Sequence, residues 1–409
     1  MLDLDQEATL APEIQPFPGG LDLTVQPRNI FLTGATGFVA AYVLAELLEQ
    51  TDATIYTLVR TGTQYQGMNR IRRNLSGYLL WRSRYEDRIV PVPGDLKYPL
   101  LGLSPAQFEA LAQTVDAVYH VGSKLSYIAP YEFLKAANVG GTQETLRLAV
   151  LGKAKPYHFV SSLGIMMGYK APVGGTPVGG MEDDPLDVEK CPPVGYFQSK
   201  YVAERVVRLA RSRGIPVTIH RIGLIVGDSR SGCSNEDDFV ARILIGSVQA
   251  GSGPDITTAM DMTPVDYAAR AIVYLSFQQE SLNKVFHLLN PQPITWSDIM
   301  QAVIELGYPL QKLPLDAWIR SIEEDTSEAT NPLQPLLPFF HLNFAARMFG
   351  VSLAAYHALG TEATQRALAG SGIECAPVNQ ALVAIYMQRF INMGRMQPAP
   401  LLAAYGSGA

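Results

Sequence analysis

The sequence predicts an α/β protein in which a doubly wound parallel sheet is followed by a smaller, mostly helical region. Short apolar runs alternate with amphipathic stretches from residue 29 onward, as in chains built from strand–helix–strand units. The glycine-rich stretch 33–40 (TGATGFVA) stands between the first apolar run and the first amphipathic stretch. That is the place of the nucleotide-binding loop in a Rossmann-type fold.

The predicted elements follow in chain order. The first strand is Ile30–Leu32, and apolar residues recur behind it at helical spacing. Further strands are predicted at Thr54–Val59, Arg88–Val92, Ala117–Val121, Tyr157–Ser161 and Val217–Ile222. Helices are predicted at Thr142–Val150, at Lys200–Arg213 and after Pro291, with Thr295 or Ser297 as the N-cap of the last.

Composition excludes several classes of protein. Of the 409 residues 47% are hydrophobic and 17% charged, which is too apolar for a disordered chain. A net charge of −6 leaves no overall basic field for nucleic acid. Three scattered cysteines and the absence of CxxC or HExxH patterns predict no disulfide framework and no metal site. No apolar run is long enough to span a membrane, and the acidic N-terminus does not read as a signal peptide, so we expect a soluble, cytoplasmic protein.

The predicted organisation has three parts. Residues 1–28, which are acidic and proline-rich, read as an N-terminal leader or linker. Residues 29–290 form the predicted nucleotide-binding domain, with 223–265 contributing to the substrate site. Residues 291–409 form a mostly helical substrate-binding domain. Residues 331–409 hold only six charged side chains, so we interpret them as a lid or wall, with Pro332–Phe340 as its most exposed apolar segment.

The glycine-rich loop has the form GxxGxxA. Gly34 permits a tight turn, Gly37 lets backbone amides approach a pyrophosphate, and Ala40 is small enough for close helix–strand packing. Arg60 ends the second strand where an acidic residue would select NAD, so Arg60, with Arg70 ten residues on, favours the 2′-phosphate of NADP. The turn at Asp95 after the third strand lies where an acidic residue can face the adenine.

A second group of residues has the pattern of a catalytic set. Tyr196 and Lys200 form a YxxxK, which places both on one helix face, where the ammonium would lower the tyrosine pKa. Ser161 and Ser162 end a preceding strand, and a hydroxyl there could hydrogen-bond a reacting carbonyl. Asn138 could cap a helix or fix the active-site backbone. Residues His120, His158 and His220 are expected to pack in the core.

The motifs LTGATGF, LVR, PGDL, NVGGT, FVSS, YFQSK and KVFHLLNPQP together resemble extended short-chain dehydrogenases. More narrowly, residues 5–325 resemble the thioester reductase domain that terminates some nonribosomal peptide and polyketide synthetases and occurs in carboxylic acid and aminoadipate reductases. Two departures are Ala40, in place of a third glycine, and Ile222-Gly223, where Pro-Gly is usual.

The resemblance implies NADPH as cofactor and Ser162, Tyr196 and Lys200 as the catalytic residues. The expected cofactor-binding residues are Thr33, Gly34, Thr36, Gly37, Phe38, Val39, Arg60, Arg70, Asp95, Leu96, Gly122, Ser123, Asn138, Ser161, Tyr196, Lys200, Ile222 and Gly223. The implied reaction is reductive release of an acyl or peptidyl thioester from the phosphopantetheine arm of a carrier protein, giving an aldehyde or, after a second hydride, an alcohol. We expect a monomeric domain of a larger synthetase.

Two other functions share this fold class: an NADP-dependent sugar-nucleotide epimerase or reductase, and a non-catalytic NADP-binding module. The charge-poor C-terminal segment favours an apolar acyl substrate over a charged diphosphate, and the Ser/Tyr/Lys set argues against a non-catalytic module. Seven arginines against two acids give residues 60–90 a net charge of +5. This patch either steers an acidic carrier or is a solvated helix beside the cofactor phosphate.

Overall fold

A seven-stranded, fully parallel sheet lies at the centre of the computed structural model, which describes residues 2–21, 26–166, 180–324, 331–341 and 356–399. The strands are β1 (Asn29–Thr33), β2 (Thr54–Val59), β3 (Ile89–Pro93), β4 (Ala117–His120), β5 (Tyr157–Ser162), β6 (Val217–Ile222), β7 (Ile225–Val226), β8 (Ser252–Pro254), β9 (Ala259–Met260), β10 (Thr263–Pro264), β11 (Val285–Leu288), β12 (Ile294–Thr295) and β13 (Gln311–Leu313). The sheet order is β3-β2-β1-β4-β5-β6-β11, so the winding direction reverses between β1 and β4. Ligands bind at such a switch point, beyond the carboxyl ends of the strands.

Helices cover both faces of this sheet. They are α1 (Leu4–Glu7), α2 (Phe38–Gln50), α3 (Gln64–Gly77), α4 (Pro105–Thr114), α5 (Tyr131–Lys135), α6 (Gly141–Val150), α7 (Gly195–Ser212), α8 (Phe239–Ala250), α9 (Val265–Ser276), α10 (Trp296–Glu305), α11 (Leu315–Glu323), α12 (Leu337–Phe340), α13 (Glu362–Leu368) and α14 (Gln380–Asn392). In β1, Ile30 and Leu32 join the core under α2 and α9, whereas Phe31 joins the core under α7, because alternate strand residues face opposite ways. No helix in the described ranges is long and apolar enough to cross a bilayer.

The predicted α/β class and doubly wound sheet are confirmed. The six predicted strands are all present, and four of them have ends that differ slightly from the predicted ones. A seventh strand, β11, was not predicted, and α7 begins at Gly195, five residues before the predicted start. Thr295 is the N-cap of α10, in a capping box with Asp298.

The N-terminal segment that the sequence presents as a linker packs against the sheet domain. Leu4, Leu10 and Ile14 are buried in the core. The guanidinium of Arg213, at the end of α7, donates to the carbonyls of residues 10, 11 and 14 at 2.7–2.9 Å. Bonds to three carbonyls of an irregular chain hold this segment in place despite its lack of periodic structure.

The C-terminal region differs from the predicted lid. Leu333, Phe339 and Phe340 are buried, so the expectation that Pro332–Phe340 is the most exposed apolar segment is wrong. The ring of Phe339 packs against Phe239, and the ring of Phe340 packs against Trp318. Within the described ranges after residue 331, the helices are α12, α13 and α14 with one 3-10 turn. Residues 342–355 and 400–409 of the predicted lid lie outside the described residues.

Candidate active site

The glycine-rich loop joins β1 to α2 at the switch point of the sheet. Gly34 has a φ of +86°, and a Cβ there would lie 2.7 Å from the Cα of Gly122, which follows β4. Gly37 is the N-cap of α2, and no side chain caps the helix. The free amides of this 13-residue helix and the close backbone packing fit the pyrophosphate of a dinucleotide.

Thr33 supports this loop from inside the core. Its buried hydroxyl accepts a hydrogen bond from the backbone N–H of Gly122 at 2.9 Å and lies 2.8 Å from Nδ1 of His120. The ring of Phe38 packs edge-to-face on Tyr42 and tilted against Tyr78, at centroid distances of 5.5 and 5.0 Å. The side chains of Thr33 and Phe38, both expected to bind the cofactor, therefore take part in packing, and Thr36 and Val39 are only partly buried.

Three arginines line a pocket beyond the end of β2. Arg60 and Arg70 meet there as predicted, and Arg70 donates to the carbonyl of Arg60. Arg73, one turn after Arg70 on α3, completes the cluster around a volume of about 420 Å³. The sequence analysis missed Arg73, although its i, i+3 spacing from Arg70 places both on one helix face. Three guanidinium groups around one open pocket suit a phosphate.

The loop after β3 reaches toward the same edge of the sheet. The backbone N–H of Asp95 donates to the Leu101 carbonyl at 2.8 Å, and its carboxylate accepts from the Lys97 amide at 3.1 Å. Leu96 packs against the first residue of α6, since a Cβ on Gly141 would lie 3.0 Å from the Leu96 Cβ. Both predicted residues thus lie at the carboxyl edge of the sheet.

The start of α7 packs on the turn that follows Ser162. A Cβ on Gly164 would lie 2.1 Å from the ring of Phe197, so the glycine lets α7 approach β5 closely. The side chain of Ser123, a residue of the loop after β4, lies near enough to the hydroxyl of Tyr196, next to Phe197, to lower its pKa. This packing brings the predicted Ser162, Tyr196 and Ser123 to one end of the sheet.

Lys200 does not act on Tyr196 as expected. Its ammonium donates to the Val160 carbonyl on β5 at 2.6 Å and lies 4.2 Å from the centre of the Phe159 ring. Burial lowers the pKa of Lys200 to about 7, against the effect of Glu204. Burial raises the pKa of Tyr196, and only the Ser123 side chain opposes that rise. The predicted lowering of the Tyr196 pKa by Lys200 is therefore not found in this arrangement.

Asn138 fixes the active-site backbone, one of the two roles left open by the sequence. It lies in a π-helical turn, Ala136–Gly140, of a kind often found at functional sites. Its amide accepts from the Lys124 N–H at 2.7 Å, and donates to the Lys124 carbonyl at 3.0 Å and to Ser199 Oγ at 2.9 Å. Ser199 in turn donates to the Tyr196 carbonyl at 2.7 Å. This buried amide positions the loop that carries Ser123, so it is not available to bind the cofactor.

Ser161 and Ser162 point to opposite faces of the sheet. The buried Ser161 hydroxyl donates to Glu204 at 2.6 Å, so any contact of Ser161 with the cofactor would have to come from its backbone. Ser162 is partly exposed and accepts from the Gly164 N–H at 3.1 Å. The alternation of a strand thus leaves Ser162 as the hydroxyl that faces the site.

The loop after β6 lies beside the end of β5, the strand that carries Ser162. Ile222 is paired with Ser162 in the sheet register, and the Gly223 N–H donates to the Leu288 carbonyl at 3.0 Å.

The predicted core histidines His120, His158 and His220 are all buried. No group of three His, Cys, Asp or Glu that could hold a metal occurs in the parts of the chain that the structure describes.

Comparison with known proteins identifies relatives of this chain. The family described as Male sterility protein, an NAD-binding family, matches residues 32–272. A linear gramicidin synthase protein of Brevibacillus parabrevis is 39% identical over 400 residues, which are 96% of this chain and 8% of that protein. Aldehyde reductase lnaA of Aspergillus flavus is 33% identical over 322 residues, 76% of this chain and 31% of its own length.

A solved structure extends the similarity over the whole chain. The terminal R domain from the myxalamid PKS-NRPS biosynthetic pathway has 40% identity and a TM-score of 0.87, covering 97% of this chain and 98% of that domain. The chain spans less than a third of the length of the two curated relatives. It therefore belongs to the Male sterility protein family of NAD-binding proteins and, within it, to the terminal reductase domains of polyketide and nonribosomal peptide synthetases.

Proposed function

We propose that this chain uses NADPH to reduce an acyl or peptidyl thioester, held on the phosphopantetheine arm of a carrier protein, to an aldehyde. The observation that carries the proposal is a row of aromatic rings that runs from Tyr196 into the C-terminal region. Tyr127 lies 6.0 Å from Tyr196 and 5.7 Å from Phe339, whose ring lies 5.5 Å from Phe239. Aromatic side chains beside Tyr196 suit an apolar acyl chain.

The proposed roles of the residues follow from their positions. Bound NADPH supplies the hydride that reduces the thioester carbon. Tyr196 gives its proton to the oxygen that gains charge, and the Ser162 hydroxyl hydrogen-bonds the same oxygen. The hemithioacetal then loses the pantetheine thiol as its carbonyl re-forms, giving the aldehyde. Ser123 holds the Tyr196 hydroxyl in place, and Lys200, anchored on β5, would hold the ribose of the cofactor.

This proposal assigns the parts of the chain as the sequence suggests. Residues 29–290 would bind NADPH, with the 2′-phosphate in the pocket of Arg60, Arg70 and Arg73. Residues 223–265 and 291–409 would form the substrate side, because Phe239 and Phe339 both belong to the aromatic row. We expect a monomeric domain that acts on a carrier within or beside a larger synthetase.

The carrier approach is better supported at the loop after β4 than at the arginine-rich stretch. In that stretch Arg84 pairs with Glu49, Arg72 pairs with Glu86, and Arg88 donates to backbone carbonyls near the end of α2. Glu86 is already counted in the net charge of +5, so of these partners only Glu49 offsets it, but three of the seven arginines are held within the fold and are less free to contact a carrier. In contrast, Leu125, Ile128 and Phe133 are 58%, 64% and 59% exposed. Leu125 and Ile128 lie in the same loop as Ser123, and Phe133 contacts the Lys124 ammonium, so a pantetheine arm arriving here would come close to Tyr196.

The test is turnover of acyl-pantetheine thioesters with NADPH, with the aldehyde or alcohol identified by mass spectrometry. Tyr196→Phe should lower kcat by about 10²-fold or more, since it removes the proton donor. Tyr65→Phe is the matched control, because Tyr65 is exposed on α3 and should keep wild-type turnover. Near wild-type turnover by Tyr196→Phe, or turnover of a sugar nucleotide but of no thioester, would refute the proposal.

Cofactor preference is tested at the pocket on α3. Replacing Arg70 and Arg73 with alanine should raise KM for NADPH by about tenfold or more, because charge-assisted hydrogen bonds contribute about 1.5–3 kcal/mol each. The KM for NADH should change little, since NADH has no 2′-phosphate. An equal loss with both cofactors would place the 2′-phosphate elsewhere.

A further inference from the structure

Asp261 lies between two loops at the carboxyl edge of the sheet. Its Oδ2 accepts from the backbone N–H of Leu224, in the loop after β6, at 3.0 Å. Its Oδ1 accepts from the N–H of Asn290, in the loop after β11, at 2.9 Å, and from the Thr263 hydroxyl at 2.8 Å. One carboxylate therefore ties together the ends of two neighbouring strands.

The loop after β6 is shaped around this carboxylate. A Cβ on Gly223 would lie only 1.4 Å from Oδ2 of Asp261, so the residue at 223 has to be glycine while Asp261 is in place. The loop begins at Ile222, which the sheet register pairs with Ser162. Through the backbone at 223–224, Asp261 thus sets the position of the chain beside the catalytic serine.

Tyr356 connects the same carboxylate to the C-terminal region. Its hydroxyl lies 3.2 Å from Oδ1 of Asp261 and also hydrogen-bonds the Asn290 carbonyl. Its ring belongs to a small buried cluster with Ala259, Leu289 and Leu163, the residue directly after Ser162. Tyr356 therefore links the turn after β5, through the apolar cluster that includes Leu163, to the Asp261 carboxylate beside the loop after β6.

The electrostatic setting indicates that Asp261 is costly to stability. Burial raises its pKa to about 6, although the bonds from Asn290, Thr263, Leu224 and Tyr356 oppose that rise. Asp261 forms no ion pair with the described residues. A partly buried carboxylate without a paired cation destabilises a fold, and an asparagine of the same shape would avoid that cost. A charged acceptor is expected here where two backbone amides have to be held firmly.

We propose that Asp261 and Tyr356 are a positioning pair that holds the loop at Gly223 and Leu224 against the Ser162 turn, and so orients the nicotinamide half of the cofactor. The inference rests on the proposed function. Neither residue touches the reacting atoms. The pair acts at the nicotinamide end because the adenosine half is served by the glycine loop and the arginine pocket, which lie across the switch point on β1 and β2.

The variants are Asp261→Asn and Tyr356→Phe, each of which preserves shape. Asparagine cannot serve both backbone amides as an acceptor, so kcat should fall by about tenfold or more while KM for NADPH stays within about threefold. Tyr356→Phe should lower kcat by a smaller factor. The double variant should lose no more than Asp261→Asn alone, because the two residues act on one loop. Asp298→Asn, a helix-capping change on α10, is the matched control and should keep wild-type kcat.

A binding measurement separates this inference from the proposed function. The affinity of 2′,5′-ADP, which lacks the nicotinamide half, should be the same in wild type and both variants. The rise in NADPH fluorescence on binding reports the nicotinamide environment, and it should shrink in both variants whether or not a thioester is reduced. If the wild type reduces no thioester, the proposed function fails and this readout still tests the pair.

Three results would overturn the inference. One is unchanged kcat and unchanged NADPH fluorescence in both variants. The second is a parallel weakening of 2′,5′-ADP binding, which would indicate general damage to the fold. The third is a double variant whose loss in kcat equals the two single losses combined. If Asp261→Asn does not fold, Tyr356→Phe, which removes a single oxygen, carries the test with the same two readouts.

Discussion

A buried ion pair beside β5 gives the sharpest prediction about stability. Glu204 on α7 and Arg221 on β6 are both fully buried, with Oε1 of the carboxylate 2.6 Å from Nη2 of the guanidinium. Glu204 also accepts from Arg208 at 3.1 Å and from the Ser161 hydroxyl at 2.6 Å. The perturbation is Glu204→Gln, which keeps the shape and removes the charge.

Two independent arguments give a similar loss in the free energy of unfolding. Removing one partner of a buried pair costs about 3–5 kcal/mol, because the other charge is left without compensation. Arg221 would keep its hydrogen bonds to His287 and the Glu182 carbonyl, but it would face the Arg208 guanidinium without the carboxylate that now compensates both charges. Separately, burial alone would raise the pKa of Glu204, but Arg221 and Arg208 lower it to about 2, from an ordinary value of 4.5. At 1.36 kcal/mol per pKa unit this corresponds to about 3 kcal/mol.

The assay is urea unfolding followed by tryptophan fluorescence, at neutral pH and through the acid range. Because the folded-state pKa is depressed, the contribution of Glu204 is present above about pH 4.5 and is lost as the pH falls toward 2. Glu204→Gln should therefore lose about 3 kcal/mol at pH 7, and the difference from wild type should shrink in acid. Glu86→Gln, which removes half of the exposed pair with Arg72, should cost at most about 1 kcal/mol. A Glu204→Gln effect as small as that of Glu86→Gln would refute the reasoning.

Three further predictions concern the site itself. Burial lowers the pKa of Lys200 and of Lys155 to about 7, so the free energy of unfolding should rise with pH from about 7 to 10.5. In urea titrations at a series of pH values, Lys200→Met and Lys155→Met should each reduce this pH dependence. Only Lys200→Met should also abolish turnover. Gly34→Ala should weaken NADPH binding by about tenfold or more in a fluorescence titration, since its Cβ would strike Gly122, whereas Gly77→Ala, with open space around it, should bind normally. Asn138→Asp loses the two hydrogen bonds that the amide donates and places a carboxylate in a buried site, so kcat should fall by about tenfold and the melting temperature should fall as well; an unchanged kcat would show that the loop after β4 needs no such support.

Much of the fold could be predicted from local pattern. The strands at Thr54–Val59 and Val217–Ile222 were placed to the residue, because a buried parallel strand is a short apolar run. The glycine loop was recognised by its place between strand and helix. The strand β11 was not predicted, since its four residues, VFHL, carry no periodicity that separates them from the flanking segment. Boundaries such as the start of α7 depended on packing against the turn after Ser162.

The sequence by itself determined the residue types of the site: two glycines at a tight turn, a tyrosine and a lysine one helical turn apart, and arginines after the second strand. Only the tertiary structure decided how they act. It turned the Ser161 hydroxyl to Glu204, directed Lys200 to the Val160 carbonyl, and added Arg73 to the pocket of Arg60 and Arg70. It also joined Asp261 to Tyr356, 95 residues away. Local periodicity records which face a residue takes on its own element, whereas the partner it meets there is set by the packing of distant segments.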